Sequence, residues 1–228
     1  MKKFTLLNLL IVPALLLTGC AKNIDKEAFL EKLADVKENV VVTNSDIKNV
    51  HIHNGLNVTT YDYKEGEYYA YHTFVIIIII PYKSEEFIYK NNDKYYQINT
   101  YTDSSKDTKK EITQDEFNLL MLARKQKIID ELNDPISAID RLIDEEDDEY
   151  KSIKNSFSAG GNTLNFTSNV VKETYDSEKE ENKDIKGKIN ISFKNNLPTK
   201  YETKVDGNTV WSYSYGNATL KIPSNFQD

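Results

Sequence analysis

The chain has 228 residues, and its 36 acidic and 29 basic side chains give it a formal charge of −7. This length suits a single domain of ordinary size with a substantial hydrophobic core. The acidic balance excludes nucleic acid and anionic lipid headgroups as partners held by charge attraction.

The first twenty residues, MKKFTLLNLLIVPALLLTGC, have the layout of a secretory signal peptide. Lys2 and Lys3 form a basic start, and the apolar stretch 4–17 is shorter than the roughly 20 residues of a transmembrane helix. The motif LTGC at residues 17–20 resembles the lipobox of bacterial lipoproteins. This resemblance implies that Cys20 receives a diacylglycerol thioether and becomes the mature N-terminus.

Three segments are therefore expected. Residues 1–19 would be a removed signal peptide, residues 20–24 a lipidated tether, and residues 25–228 one domain on the extracytoplasmic face of the cell membrane. Loss of the two lysines would bring the formal charge to −9, so acyl chains rather than charge would hold the protein at the membrane. Because Cys20 is the only cysteine, the mature chain would have no thiol for a disulfide, a thiolate metal site or a nucleophile.

The segment IDKEAFLEKLADVKEN, residues 24–39, predicts a helix directly after the tether. Asp25 is a suitable N-cap, and Ile24 and Phe29 have the spacing of a hydrophobic staple. The apolar positions form one stripe: Phe29, Leu30, Leu33 and Val36. Such a stripe favours packing on the domain itself. A helix lying free in the membrane is the alternative, although its polar face is mainly acidic rather than basic.

About four strands are predicted between Val50 and Thr102, where Tyr, Ile, Val and Thr are frequent. Turns are expected at Lys64–Gly66 and Asn91–Asp93. The run FVIIIII, residues 74–80, is predicted to be one strand that Pro81 ends. As a strand it would span roughly 23 Å, and as a helix only about 11 Å, far less than the apolar thickness of a bilayer.

The two faces of this predicted strand are both apolar. One face would carry Phe74, Ile76, Ile78 and Ile80, and the other Val75, Ile77 and Ile79. Both faces must be shielded from water, because apolar side chains left exposed on either face would promote aggregation. A helix would cover one face, and a loop, a return of the sheet or a ligand would cover the other.

A capping box at Thr113 and Glu116 predicts the start of a helical block. Its expected inward residues are Phe117, Leu120, Ile128 and Leu132. The tripeptide NDP, residues 133–135, predicts a break, with Pro135 at the first position of a further helix. The acidic run 144–149 lacks the glycine and the alternating ligands of a calcium loop, so it is interpreted as a solvated helix end.

About five strands are predicted in the last third, and ATLKI at residues 218–222 is the closing one. The charged segment 172–186 is expected to be a long exposed hairpin loop. Polar and apolar side chains alternate in residues 187–205, which indicates a sheet with one solvent-exposed face and one apolar face. The order of elements predicts an α+β fold with a roughly nine-stranded antiparallel sheet, and the helices are the available cover for its apolar face.

The acylated cysteine, the N-terminal helix, the interrupted antiparallel sheet and the closing segment YGNATLKIP resemble one superfamily of lipoproteins. It is the LolA/LolB and LppX/LprG type of lipoprotein carrier and lipid-binding protein, and the local sequence similarity is in the last hairpin, Val210 to Pro223. The resemblance implies a strongly curved antiparallel half-barrel sheet. Helices would cover its concave face and leave an apolar cavity for acyl chains.

Eleven residues are candidates for contact with such a lipid. The concave side would contribute Phe74, Ile76, Ile78, Phe166, Ile189, Ile191, Phe193 and Trp211. The pliable helical turn from Leu119 to Leu122 would gate the cavity, with Leu119, Leu120 and Met121 touching cargo.

Other chemistry has weaker support in the sequence. His51 and His53 would share one strand face with His72 near them, a spacing that can bind zinc, but the spacing fixes no carboxylate or third ligand. No catalytic triad, carboxylate pair or lysine nucleophile can be assembled, so neither an enzyme nor a cofactor is predicted. Two functions stay open: binding of lipid or lipoprotein cargo in a cavity, or binding of an envelope protein by a sensor or interaction module with a solid core.

Overall fold

The computed structural model describes residues 21–43, 47–55, 59–77, 80–177, 179, 181–222 and 226. The predicted signal peptide, the predicted lipidation of Cys20 and the predicted site residue Ile78 lie outside these residues.

Twelve strands and two α-helices make up the described fold. In chain order they are β1 (Lys22–Ile24), α1 (Lys26–Lys37), β2 (Asn49–Asn54), β3 (Thr59–Lys64), β4 (Tyr68–Ile77), β5 (Ile80–Asn91), β6 (Lys94–Tyr101), β7 (Thr108–Ile112), α2 (Gln114–Leu142), β8 (Ser152–Gly160), β9 (Thr163–Asp176), β10 (Glu181–Lys194), β11 (Leu197–Val205) and β12 (Asn208–Gly216). A π-helical turn (Glu38–Thr43) follows α1, and a 3-10 turn (Ser104–Lys106) precedes β7.

All the strands belong to one open antiparallel sheet in the order β1-β8-β9-β10-β11-β12-β2-β3-β4-β5-β6-β7. Two meanders, β2–β7 and β8–β12, meet where β12 pairs with β2, for example at Tyr215 and Ile52. The predicted α+β class and antiparallel sheet are confirmed.

The predicted number of nine strands is too low. Strands β1, β2, β7 and β8 were not counted, because their sequences are short or largely polar. Strand β1 also shortens the predicted tether, since Lys22, Asn23 and Ile24 pair with β8. The predicted closing strand ATLKI is wrong, because residues 218–222 belong to none of the strands.

The isoleucine run is a hairpin rather than a single strand. Ile77 of β4 pairs with Ile80 of β5, and Ile76 pairs with Pro81, so the chain reverses inside the run. Pro81 therefore lies within a strand instead of ending one. On the other side of β5, pairing with β6 begins only at Ser84. In the described structure Pro81 therefore has no β6 residue opposite it, and its missing N–H removes no hydrogen bond between these two strands.

The two predicted helix starts are confirmed. The Asp25 side chain accepts a 2.8 Å hydrogen bond from the Ala28 amide at the start of α1. Thr113 and Glu116 form the capping box that begins α2. These caps satisfy amides that have no partner inside a helix.

The predicted break at residues 133–135 is wrong, because α2 continues from Gln114 to Leu142 with Pro135 inside it. A proline in a helix interior costs about 3 kcal/mol. Leu132, Ile136 and Ile139 flank Pro135 and are all buried in one core. Burial of each such side chain is worth roughly 2 kcal/mol, so packing on both sides outweighs the cost of the proline.

The main core lies between both helices and one face of the sheet, which we call the helix face. Phe29 of α1, Ile128 of α2 and Ile191 of β10 are all completely buried there. Alternation along β4 places Tyr69 on the helix face and Tyr68 on the opposite face, which we call the outer face. The start of β4, at Tyr68 and Tyr69, is therefore buried on both sides.

A smaller cluster covers part of the outer face. The extended C-terminal segment, residues 217–222, lies across Tyr68, Phe87 and Tyr89 and packs Leu220 and Ile222 against them. This segment covers the outer face at Tyr68, Phe87 and Tyr89 and includes no contact that buries the apolar run 74–80 among the described residues.

The predicted exposed loop 172–186 is largely strand. Residues Lys172 to Asp176 pair with residues 181–185, so β9 and β10 form a long hairpin with a short connection. The prediction of exposure is confirmed for most of its charged side chains. A two-stranded ribbon satisfies backbone groups by pairing and needs no apolar core for its charged residues.

Candidate functional site

Five of the predicted lipid-contacting residues lie together in the main core. They are Met121, Phe166, Ile189, Ile191 and Phe193, and each is at most 5% exposed. Phe166 packs against Phe29 of α1, with ring centroids 5.9 Å apart, and the Phe157 ring lies 4.8 Å from Phe29 and 5.9 Å from Phe166, tilted against both. In this arrangement α1 contacts the apolar side chains of the sheet.

The other candidates lie elsewhere. Phe74 follows His72 by two residues on the outer face and is 37% exposed, whereas Ile76 lies in β4 but its side chain is outside the description. Trp211 is in β12, paired with Thr203, but the description does not extend to its side chain. The predicted concave set is thus divided between two faces of the sheet.

The predicted lid turn is also divided. Met121 is buried and Leu120 packs against the core, whereas Leu119 and Leu122 are each 68% exposed on the far side of α2. This follows from helix geometry, because residues 119 and 122 lie on the face opposite Phe117 and Ile128.

The most developed polar site is a cleft on the outer face, with a volume of about 440 Å³. We call it the outer-face cleft. Strands β2 to β5 form its floor, and the C-terminal segment forms its wall. Its polar lining residues are His51, Thr60, Asp62, His72, Glu85, Asn217, Thr219 and Lys221.

Two histidine–carboxylate pairs dominate this floor. His51 Nδ1 lies 2.8 Å from Asp62 Oδ1, and His72 Nδ1 lies 2.7 Å from Glu85 Oε1. Both pairs join residues directly opposite each other on neighbouring strands. An ionised carboxylate only accepts hydrogen bonds, so each Nδ1–H donates and each Nε2 is left for other contacts.

Glu85 is the most heavily bonded group of the cleft. Thr100 donates to its Oε2 at 2.6 Å, and the Lys83 ammonium lies 2.9 Å from the same oxygen. Burial alone would raise the pKa of Glu85, but the hydrogen bonds from Thr100, Lys83 and His72 outweigh it and lower the pKa below its ordinary value. Glu85 therefore stays ionised and holds His72 in one orientation.

The C-terminal segment is attached to the cleft by its backbone. The Thr219 amide donates to Asp62 Oδ1 at 3.0 Å, and the Ala218 amide donates to Asn49 Oδ1 at 2.9 Å. Asp62 thus joins His51 on the floor to the wall of the cleft. The His51 side chain and the Thr219 backbone amide, which lie far apart in the sequence, both contact this one carboxylate.

Sequence reasoning missed Asp62, Glu85 and Thr219. It singled out the histidines, and the alternation of β2 does place His51 and His53 on one face, as predicted. No group of three His, Cys, Asp or Glu that could hold a metal is present among the described residues. The partners of the histidines are set by cross-strand register, and no motif along the chain signals them.

On the helix face, one partly buried ion pair and one hydrogen bond from Tyr61 join α2 to the sheet. Arg124 binds Glu86 through two hydrogen bonds of 2.8 and 2.9 Å. Burial raises the pKa of Glu131 above its ordinary value, more than the hydrogen bond from Tyr61 lowers it. These groups fasten α2 to the sheet.

No helix in the described parts of the chain is long and apolar enough to cross a bilayer. No protein-family model and no curated protein matches the chain. A solved structure with weak similarity is the β subunit of DNA polymerase III from Pseudomonas aeruginosa, at 11% identity and a TM-score of 0.17. The match covers 90% of this chain and about two thirds of the other, 66%, and so low a score carries no argument about fold or function.

Proposed function

We propose that this protein is a lipid-anchored binding module of the bacterial cell envelope, and that its outer-face cleft binds a segment of a protein partner. The observation that supports this proposal most directly is the pairing of His51 with Asp62 and of His72 with Glu85 in one open cleft. Each pair orients an imidazole and leaves its Nε2 available. The role is binding rather than catalysis, and it requires no cofactor.

The chemistry of the cleft suits a polar peptide. Two oriented imidazoles and the Lys221 ammonium stand beside Phe87, so polar and apolar contacts are available within a few residues. The well-packed helix face agrees with a module whose core is solid. Specific binding requires a small number of precisely placed polar groups on a preformed surface.

The proposed anchor is a diacylglycerol thioether on Cys20, at the extracytoplasmic face of the cell membrane. Its support is the sequence MKKFTLLNLLIVPALLLTGC and the position of β1, which begins at Lys22. Mass spectrometry of the purified chain tests it. The expected N-terminal fragment begins with a lipid-modified Cys20, and an unmodified thiol at this position contradicts the anchor.

Binding by the cleft can be tested with the full chain in lipid vesicles exposed to detergent-solubilised envelope proteins. We expect a retained protein to be lost when His51→Ala and His72→Ala are combined. His53→Ala is the matched control, because His53 lies on the same face of β2 but does not line the cleft. Equal retention by parent, double variant and control would contradict the proposal.

A second candidate function is binding of lipid or lipoprotein cargo between α2 and a strongly curved half-barrel sheet. Both helices cover the same face of the sheet, and two clefts of about 420 and 360 Å³ open beside α2 next to Leu132 and Ala138. An acyl chain entering there would gain about 0.8 kcal/mol for each buried methylene.

Lipid extracted from the purified protein separates the two functions. If acyl chains bind beside α2, Ala138→Trp fills the smaller cleft and lowers the amount of co-purifying lipid, whereas the histidine variants leave it unchanged. If parent and Ala138→Trp carry no lipid beyond the anchor, cargo binding is contradicted and the outer-face cleft is unaffected.

A further inference from the structure

Strand β1 determines which end of the sheet lies beside the proposed anchor. Lys22 is opposite Ala159, and the two strands are antiparallel. Going back from Lys22 towards the N-terminus, the chain therefore runs in the direction in which β8 approaches its end at Gly160. Only Ala21 separates Lys22 from Cys20, so the Cα atoms of residues 20 and 22 are at most about 7.6 Å apart. The proposed lipid attachment site is thus close to the turn between β8 and β9.

The turn between β8 and β9 is joined to the turn between β10 and β11. The Asn195 amide donates to the Asn162 carbonyl oxygen at 3.0 Å, and the two side chains are also hydrogen-bonded. These turns, residues 160–162 and 194–196, form one end of the sheet together with Lys22, and we call it the anchor end. Because neighbouring strands lie about 4.8 Å apart, the three strand spacings from β1 to β10 give the anchor end a width of roughly 14 Å.

The charge of the anchor end differs from that of the whole chain. Lys22 and Lys194 are both exposed there, and the two turns include no acidic side chain. Lys32 and Asp35 of α1 line the small cleft beside the turns, and their opposite charges balance. The anchor end is therefore locally positive in a chain with a formal charge of −7, and its lysines suit the phosphate groups of lipids.

The two longest strands project at the opposite end of the sheet. Strand β8 starts opposite Val171, and β11 ends opposite Gly187. The residues that immediately precede β8 and follow β11 are described, and they lie in bends or turns rather than strands. Residues 172–176 and 181–185 therefore have only each other as strand partners, and we call this two-stranded part the ribbon.

The ribbon is distant from the anchor end and has the opposite charge. Strand β9 spans about 43 Å from Thr163 to Asp176 at 3.3 Å per residue. The ribbon contains four acidic and two basic side chains, and Glu173, Glu181 and Asp184 are exposed. Anionic headgroups would repel these carboxylates, which favours a position of the ribbon away from the bilayer.

We propose that the anchor end rests on the phospholipid headgroups of the membrane that holds Cys20, with Lys22 and Lys194 against lipid phosphates and the ribbon pointing away from the bilayer. The inference rests on the proposed lipid anchor, because the acyl chains attach the protein and its uneven charge only orients it. A domain lying on its helix face would instead bring Glu27 and Glu31 of α1, which are both exposed, towards the headgroups.

This orientation has a consequence for the outer-face cleft. With the strands upright on the membrane, both faces of the sheet stand roughly perpendicular to the bilayer. The outer-face cleft then opens sideways, and a partner segment reaches it from beside the protein rather than from above.

Energy transfer from a single dye on the full chain tests the orientation. The chain is anchored in vesicles of phosphatidylcholine and phosphatidylglycerol that contain an acceptor dye on lipid headgroups. Because Cys20 is the only cysteine and would be acylated, a maleimide dye reacts only with an introduced thiol. Asn162→Cys reports on the anchor end and Lys183→Cys on the ribbon, and both positions are exposed. Asn23→Cys on β1 is a second reporter, should Asn162→Cys fail to fold by circular dichroism.

We expect transfer from residue 162 to be at least about twice as efficient as from residue 183, because about 36 Å of strand separate them. Lys194→Glu should reduce this difference, whereas Lys179→Glu is the charge-matched control near the ribbon and should not. Equal transfer from residues 162 and 183 on a chain with an acylated Cys20 overturns the orientation alone. Equal effects of Lys194→Glu and Lys179→Glu also overturn it. Labelling of the parent chain would reveal an unmodified Cys20, which contradicts the anchor and removes the orientation with it.

Discussion

His72 and Glu85 face each other across β4 and β5, with Nδ1 and Oε1 2.7 Å apart on the outer face of the sheet. The Thr100 hydroxyl and the Lys83 ammonium approach the second oxygen of the same carboxylate. One carboxyl group therefore joins β4, β5 and β6. Its ionisation links the stability of the fold to the shape of the cleft.

Glu85→Gln should reduce the dependence of stability on acid pH. The pKa of Glu85 is lowered in the folded state, so its contribution is present above the unfolded value of about 4.3 and is lost as pH falls through the folded value. The parent should lose more free energy of unfolding than the variant between neutral pH and pH of about 3. Urea unfolding of both proteins at several pH values measures this difference. The same pH dependence of the free energy of unfolding in parent and variant would contradict the prediction.

Glu131→Gln should increase the free energy of unfolding at neutral pH. Burial raises the pKa of Glu131, so at neutral pH folding must keep a disfavoured charge next to Tyr61. The neutral amide removes this penalty, and the variant should be more stable than the parent at pH 7 but not below the unfolded pKa of about 4.3. A gain that persists unchanged at low pH would show that charge is not the cause.

Phe166→Ala and Phe74→Ala separate the two environments into which the predicted lipid-contacting residues fall. Phe166 is fully buried against α1, so its truncation should lower the free energy of unfolding by about 3–5 kcal/mol. Phe74 is 37% exposed, so its truncation should cost less than about 1 kcal/mol. Denaturant unfolding compares them, and similar losses would contradict the assignment of the two residues to different surroundings.

Pro135→Ala tests the continuity of α2. In an uninterrupted helix alanine restores an amide donor and removes a cost of about 3 kcal/mol, part of which the lost packing and the freer unfolded chain offset. A net stabilisation of about 1 kcal/mol is expected. A destabilisation, measured by thermal unfolding, would instead fit a helix that starts at Pro135.

Leu220→Ala tests whether the C-terminal segment holds the outer face. Leu220 packs on the cluster of Tyr68, Phe87 and Tyr89, and its truncation should cost roughly 1–2 kcal/mol and speed amide exchange in β4 and β5. Lys221→Ala is the adjacent control, since Lys221 is exposed and should change stability by less than about 0.5 kcal/mol. Equal effects of the two variants would contradict a packing role for residue 220.

Local rules account for much of the fold. Asp25 and the pair Thr113 and Glu116 determine their helix starts within four residues, because a capping side chain bonds amides of the next turn. The turns near Gly66 and Asn92 were predicted from residue types that tolerate a positive φ, and both residues have one. Such features need no information from distant parts of the chain.

Tertiary structure decided the rest. Seven apolar residues in a row carry no turn signal, so only the pairing of Ile77 with Ile80 shows that the chain reverses there. Pro135 stays in α2 because the core on both sides of it outweighs a local preference. The outer-face cleft depends on the register that brings Asp62 to His51 and Glu85 to His72, and on the distant amide of Thr219. Register is a property of paired strands, and a pattern along one strand does not determine it.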